Sequence, residues 1–165
     1  KGQEAYGPGI AWIEAHRAEA ACRRGSIIHW DFHPGNVLLR PDDSMEVIDW
    51  TQASISDARF DLAWTLVLLG STEGDRWRDI ILREYEQALG SRVEHLDYFL
   101  AYACLKRLFA VTVSLDHGAE ALGMRPGAEV MMRQHAAPLR RVLALFQEIT
   151  GVPLPDVERR LADLG

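Results

Sequence analysis

Two carboxylates and one amide stand at intervals that would let them share one small site. Asp31 and Asn36 lie five positions apart in a polar loop that follows one apolar run and precedes another. Asp49 comes thirteen residues after Asn36, at the end of a third apolar run. Carboxylate and amide oxygens are the ligands that magnesium prefers, and a carboxylate beside the cation could orient a hydroxyl and take its proton. Phosphoryl transfer requires such a set of groups.

The segments around these residues predict a small β structure followed by a helical body. Residues 27–29 predict a strand, and residues 37–40 and 45–48 predict a hairpin around a turn at 41–44. Apolar spacing and glycine or proline boundaries predict helices over residues 9–24, 61–69, 76–89, 91–116, 126–149 and 155–164. The helix over 91–116 is apolar on more than one face, so we expect it to be buried. The fold class is therefore α+β, mainly α, in a single domain.

The composition narrows the class of protein. The 165 residues are 48% apolar and 25% charged, which is typical of one globular domain. A formal charge of −6 argues against a nucleic-acid partner, and the longest apolar run is too short to cross a membrane. Cys22 and Cys104 are isolated, so we expect a reducing cytoplasm, with Cys104 in the core. The chain starts at Lys1 without an initiator methionine, and we expect it to be part of a longer protein.

Three motifs in one order resemble a known family. Residues 29–38, HWDFHPGNVL, look like the catalytic loop of the aminoglycoside phosphotransferase and choline kinase-like family, whose protein-kinase relatives read H-x-D-x-x-x-x-N. Residues 48–50, IDW, resemble that family's metal-binding aspartate segment, and residues 56–63, SDARFDLA, are similar to its G-D-P-x-x-D-L-A segment. Trp30, Ser56 and Ala58 depart from the family's usual glycine, glycine and proline, but none of these changes removes a ligand.

The resemblance implies a fold and an activity. Residues 1–165 would form the C-terminal lobe of a protein-kinase-like fold, in which a small β-hairpin carries catalytic and metal residues. The N-terminal nucleotide-binding lobe would be absent, so this chain alone would be inactive. The whole protein would use ATP, or another nucleoside triphosphate, and Mg²⁺ to phosphorylate a hydroxyl of a small molecule. The acceptor would be an aminoglycoside-like antibiotic or a metabolite. If it is an antibiotic, the protein would have a role in antibiotic resistance.

The resemblance also assigns roles to individual residues. Asp31 would be the catalytic base, and Asn36 and Asp49 would hold the magnesium ion. Three further residues would support the loop, namely His29, His33 and Asp61. Asp61 would do so through backbone amides. The residues that contact the nucleotide stay unknown. The acceptor site is expected between the loop and the later helices, near residues 116–120.

Other interpretations of the same residues remain open. His29, Asp31 and His33 alternate like the ligands of a metal-dependent hydrolase. A kinase-like module that binds ligands without catalysis would keep the same motifs. Asp31 could instead cap a backbone amide and Asn36 could simply form a turn. Trp64 is expected to contribute packing alone, and Asp57 is expected to face solvent.

Overall fold

The structure, a computed structural model, describes residues 4–22, 24–117 and 136–164. The chain divides into two compact units, which we call the terminal unit (Lys1–Ala18 with Ala101–Gly165) and the middle unit (Glu19–Leu100). The helices and strands of the described residues are α1 Gly7–His16, β1 Ser26–Ile28, β2 Val37–Leu39, β3 Met45–Val47, β4 Ser54–Ser56, α2 Arg59–Glu73, α3 Asp75–Leu89, α4 Leu96–His117, α5 Ala136–Thr150 and α6 Pro155–Ala162. This mainly helical fold with small antiparallel pairs of strands confirms the predicted fold class.

The middle unit contains two antiparallel pairs of strands. The predicted hairpin is confirmed, because β2 pairs with β3 in the register Val37↔Val47. The strand predicted at residues 27–29 is β1, and its partner is β4, with Ile27 opposite Ile55. Strand β4 was not predicted, because Ile55 stands alone between two serines and shows no apolar alternation. Only the pairing with β1 defines it as a strand.

Helix α2 is longer than predicted at both ends. It begins at Arg59, whose backbone N–H donates to the Asp57 carboxylate at 3.0 Å. Asp61 is therefore in the first turn and is not the cap that begins the helix. Gly70 was expected to end α2, but the helix continues to Glu73. Glycine weakens a helix interior by only about 1 kcal/mol, and a side chain of α3, Arg78, packs over this position.

The ends of α1 and α3 follow from local chemistry. Helix α1 stops at His16, well before the predicted end at residue 24. The His16 ring bonds to the Trp12 carbonyl at 2.8 Å, and the backbone tightens as Arg17 N–H donates to Glu14. Helix α3 ends as predicted at Gly90, which has a left-handed φ of 77° that glycine adopts without strain.

The terminal unit packs around the start of the chain. The Tyr6 hydroxyl hydrogen bonds to Thr112 at 2.7 Å, and the Tyr6 ring meets Phe109 edge-on with centroids 5.4 Å apart. Gly9 lies so close to Leu105 that a Cβ atom would stand 2.8 Å from its side chain. Any larger residue at position 9 would require the Leu105 side chain to shift, so glycine suits this close approach.

Most of the described side chains of helix α4 are buried or half-buried, as predicted, although Asp97 and Phe109 are exposed. It begins at Leu96 and not at residue 91, because His95 adopts a left-handed φ of 54° that a helix cannot include. Cys104 is fully buried, which raises the pKa of its thiol to about 12. The predicted start of the next helix at residue 126 lies outside the described residues. None of the described helices is long and apolar enough to cross a membrane.

Candidate functional site

The backbone of the loop is fixed by one carboxylate of α2. Asp61 Oδ2 accepts a hydrogen bond from His29 N–H at 2.6 Å, and Oδ1 accepts one from Trp30 N–H at 2.7 Å. These are short, charge-assisted bonds of the stronger kind. Asp61 therefore holds the two residues that precede Asp31, through the backbone amides to which the resemblance pointed.

The next turn of α2 holds the following two loop residues. Trp64 donates its indole N–H to Asp31 Oδ1 at 2.9 Å. The Thr65 hydroxyl lies within hydrogen-bond distance of two carbonyl oxygens. They are those of Phe32 at 2.7 Å and Asp61 at 2.9 Å. Positions 61, 64 and 65 lie on one face of a helix, because residues three and four apart are neighbours there. A single helix face therefore contacts each residue from 29 to 32.

His29 joins the loop to the end of β3. Its ring is buried, with 1% exposure, and Nε2 lies 2.8 Å from the Ile48 carbonyl. A carbonyl can only accept, so Nε2 carries the proton, and Nδ1 is then free to accept from Asp31 N–H at 3.3 Å. One neutral imidazole thus connects Asp31 with the residue before Asp49.

Asn36 belongs to the same network. Its Nδ2 donates to the Asp31 carbonyl at 2.9 Å, and its own carbonyl accepts from Ile48 N–H at 2.9 Å. The first bond closes the loop, and the second extends the β2–β3 pairing by one step. Asp31, Asn36 and the segment before Asp49 are therefore connected through direct hydrogen bonds.

Asp49 follows this segment in a left-handed conformation, with φ 63° and ψ 54°. Its side chain is exposed, and Oδ1 accepts from the Thr51 hydroxyl at 2.7 Å. Aspartate is one of the few non-glycine residues that tolerate this region. The turn redirects the chain directly after β3.

His33 caps the short helical turn Pro34–Asn36. Its Nδ1 accepts from Gly35 N–H at 3.1 Å, and its Nε2 lies 3.6 Å from Asp31 Oδ2. A Cβ atom on Gly35 would stand 2.9 Å from the His33 ring, so glycine permits this approach. His33 therefore lies beside the candidate base and helps to shape the loop.

Trp30 occupies a strained position. Its φ of 65° is unfavourable for a bulky side chain. The indole N–H donates to Ser54 Oγ at 2.7 Å, and the ring packs on Phe60 with centroids 5.0 Å apart. These contacts and the Asp61 bond to Trp30 N–H offset the strain.

Comparison with known proteins assigns the chain to a family. The sequence pattern of the phosphotransferase enzyme family matches residues 3–96, which is more than half of the chain and includes the whole network. The chain belongs to the phosphotransferase enzyme family. A comparison with curated proteins found no match.

A solved structure supports the same fold for this phosphotransferase-family chain. It is a protein of Ralstonia eutropha JMP134, named provisionally as an aminoglycoside phosphotransferase, with a TM-score of 0.63 and 13% identity. The match covers 90% of the present chain and 49% of the other, so the chain spans about half the length of that relative. At this identity the similarity concerns the fold alone.

The donor atoms at the site fit a magnesium ion. The Asn36 amide nitrogen is committed to the Asp31 carbonyl, which leaves Oδ1 as the atom available to a cation. Asp49 has one carboxylate oxygen engaged by Thr51 and a second that could bind metal. Magnesium is usually held by one or two protein oxygens, with water and phosphates at its other positions. Among the described residues, no three His, Cys, Asp or Glu side chains cluster as a metal site.

The hydrolase interpretation fits this geometry poorly. Both ring nitrogens of His29 are engaged, one by the Ile48 carbonyl and one by Asp31 N–H. His33 uses Nδ1 for Gly35 N–H. A zinc site would require His29 to give up a buried bond that links two parts of the loop. The alternating spacing of His29, Asp31 and His33 is explained by loop support.

Asp57 does not face solvent, contrary to the expectation from sequence. It is buried, and Arg59 binds its two oxygens at 2.6 and 2.9 Å. Burial by itself raises the pKa of Asp57. The hydrogen bonds and the positive charge of Arg59 lower this pKa by more than burial raises it, so the pKa of Asp57 lies below its ordinary value. The Arg59 guanidinium also donates to the Glu94 carbonyl at 3.0 Å and lies 4.3 Å from the centre of the Phe99 ring.

Sequence reasoning missed two contributors to this region. Trp64 was expected to contribute packing alone, yet it bonds to Asp31. The position of Trp64, three residues after Asp61 and on the same helix face, could have indicated this contact with the loop. The Asp57–Arg59 ion pair gave no such signal, because its partners Glu94 and Phe99 are far away in the sequence. The side chains of residues 116–120, the expected acceptor region, lie outside the described part of the chain.

Proposed function

We propose that the whole protein containing this chain transfers the γ-phosphoryl group of ATP, or another nucleoside triphosphate, to a hydroxyl of a small molecule. Family membership supports a phosphotransferase, and the acceptor class is our own extension. Aminoglycoside-like antibiotics and hydroxylated metabolites are the acceptors we favour, and resistance to such an antibiotic would be one consequence. The protein would work in a reducing cytoplasm, where ATP and magnesium are available.

In this mechanism Asp31 is the catalytic base. Its carboxylate accepts a hydrogen bond from the acceptor hydroxyl, aims the oxygen at the γ-phosphorus, and takes the proton as the new O–P bond forms. The bond from that phosphorus to the β–γ bridging oxygen breaks, and the nucleoside diphosphate leaves. Asn36 and Asp49 would hold Mg²⁺, which when bound neutralises the charge of the phosphates.

One observation carries the proposal. Asp31, Asn36 and the Ile48 segment before Asp49 are joined by direct hydrogen bonds through the His29 ring and the Asn36 side chain. Phosphoryl transfer depends mostly on positioning and on charge stabilisation, so a rigid connection between base and metal ligands is the feature it needs.

The test is nucleotide consumption by the whole protein against a panel of hydroxyl acceptors, with and without magnesium. We expect magnesium-dependent turnover with at least one acceptor, and a loss of roughly 10²–10⁴-fold in kcat for Asp31→Asn. The control is Asp43→Asn, which changes an exposed aspartate in the β2–β3 turn and should keep full turnover.

The possible results separate the alternatives. Nucleotide binding without turnover on any acceptor would favour the catalytically silent binding module. Turnover that survives Asp31→Asn unchanged would exclude Asp31 as the base. Hydrolysis that depends on stoichiometric zinc would restore the hydrolase interpretation.

A further inference from the structure

The candidate base has its backbone and its side chain fixed by different partners. His29 Nδ1 accepts from the backbone N–H of Asp31, and Asn36 Nδ2 donates to the backbone carbonyl of Asp31. These bonds fix the main chain on both sides of the residue. They leave the carboxylate free to rotate about its own side-chain bonds, so a further contact must set its direction.

Trp64 supplies that contact. We propose that Trp64 is a positioning residue, whose indole N–H fixes the rotation of the Asp31 carboxylate and assigns different tasks to its two oxygens. This inference rests on the proposed function of Asp31. The bond from Nε1 to Oδ1 is 2.9 Å long, and Trp64 is buried with 7% exposure. It lies on α2, one turn after the anchor Asp61.

The chemistry of the indole determines which oxygen reacts. An indole N–H donates and cannot accept, so it stays bonded to Oδ1 whether Asp31 is ionised or protonated. Oδ1 is then occupied by the hydrogen bond from the indole. Oδ2 remains for the acceptor hydroxyl, on the side where His33 Nε2 lies 3.6 Å away. The Asp31 side chain is 33% exposed, so this oxygen can meet a substrate.

Two substitutions separate hydrogen bonding from packing. Trp64→Phe keeps an aromatic ring and removes the donor, and Trp64→Gln restores an N–H donor and removes the ring. A packing role predicts that the Phe variant exceeds the Gln variant in both stability and activity. A positioning role predicts opposite orders, with the Phe variant more stable and the Gln variant more active.

The experiment measures kcat and KM for the nucleotide, and the unfolding temperature, in the whole protein. For Trp64→Phe we expect kcat to fall roughly 10- to 100-fold, the range for losing a hydrogen bond to a charged group, with KM within about twofold of the native value. Trp64→Gln should recover several-fold in kcat although it unfolds at a lower temperature. Trp77→Phe, which changes an exposed tryptophan on α3, should leave kcat and KM unchanged.

A double-mutant cycle with Asp31→Asn gives a second measurement. The asparagine variant lacks the carboxylate, so adding Trp64→Phe should reduce its residual kcat by less than twofold. Native kcat in Trp64→Phe, or a Gln variant no more active than the Phe variant, would overturn the positioning role alone. If the native protein transfers no phosphoryl group, the proposed function and this inference both fail.

Discussion

Replacing Asp61 should destabilise the fold more than the same replacement at an exposed aspartate. The proposed change is Asp61→Asn, which keeps the shape of the side chain. The amide retains one acceptor oxygen, but its NH₂ group then faces a backbone N–H. At either His29 or Trp30, one strong hydrogen bond is therefore replaced by two opposed donors.

The structure sets the size of this effect. The two bonds are 2.6 and 2.7 Å long and end on a carboxylate, so each contributes about 1.5–3 kcal/mol. The Asn variant loses one bond and leaves a partly buried N–H unsatisfied. We expect the free energy of unfolding to fall by about 2–4 kcal/mol. In a protein of this size that would lower the unfolding temperature by roughly 5–15 °C.

The assay is urea and thermal unfolding followed by circular dichroism. The matched control is Asp97→Asn, which removes an exposed carboxylate from the first turn of α4 and therefore reproduces the effect on a helix dipole without any loop contact. Its cost should stay below about 1 kcal/mol. Equal losses in the two variants would refute the conclusion that Asp61 anchors the loop.

Substitutions at three further positions test other parts of the middle unit. Because Trp30 has a φ of 65°, the Trp30→Gly variant should be more stable than the Trp30→Ala variant by about 1 kcal/mol in urea unfolding, although alanine is usually the more stabilising of the two residues. A more stable alanine variant would show that the backbone at position 30 is not strained. Arg59 keeps the pKa of Asp57 below its ordinary 3.8, so the carboxylate stabilises the fold above pH 4, and this stability is lost as pH falls through the lower folded pKa. Asp57→Asn should therefore cost about 3 kcal/mol at pH 7, and less as pH falls below 4; a pH-independent cost would contradict this. Asp49→Ala should weaken nucleotide binding, measured by calorimetry, only when magnesium is present, and an equal loss without magnesium would exclude a metal role.

Local patterns predicted the elements that they encode directly. The hairpin of β2 and β3, the end of α3 at Gly90 and the burial of α4 follow from apolar spacing and turn chemistry. The errors occurred where tertiary contacts outweigh propensity. Helix α2 continues through Gly70 because α3 packs over it, and β4 forms only because β1 offers a partner.

The sequence by itself determined the chemistry available to this protein. The types and spacing of Asp31, Asn36 and Asp49 predict a base and two oxygen ligands, which stay predictions, and the motifs around them indicate the family. These features could be read because they are contiguous or nearly so.

Tertiary structure decided how those groups are fixed. The His29 ring bridges the loop to β3, and the first turns of α2 contact loop residues about 30 positions earlier in the sequence. Such bonds depend on the direction of a helix face and on the geometry of the buried loop. No local pattern encodes them, which is why Trp64 could be expected from sequence to pack but not to hold the candidate base.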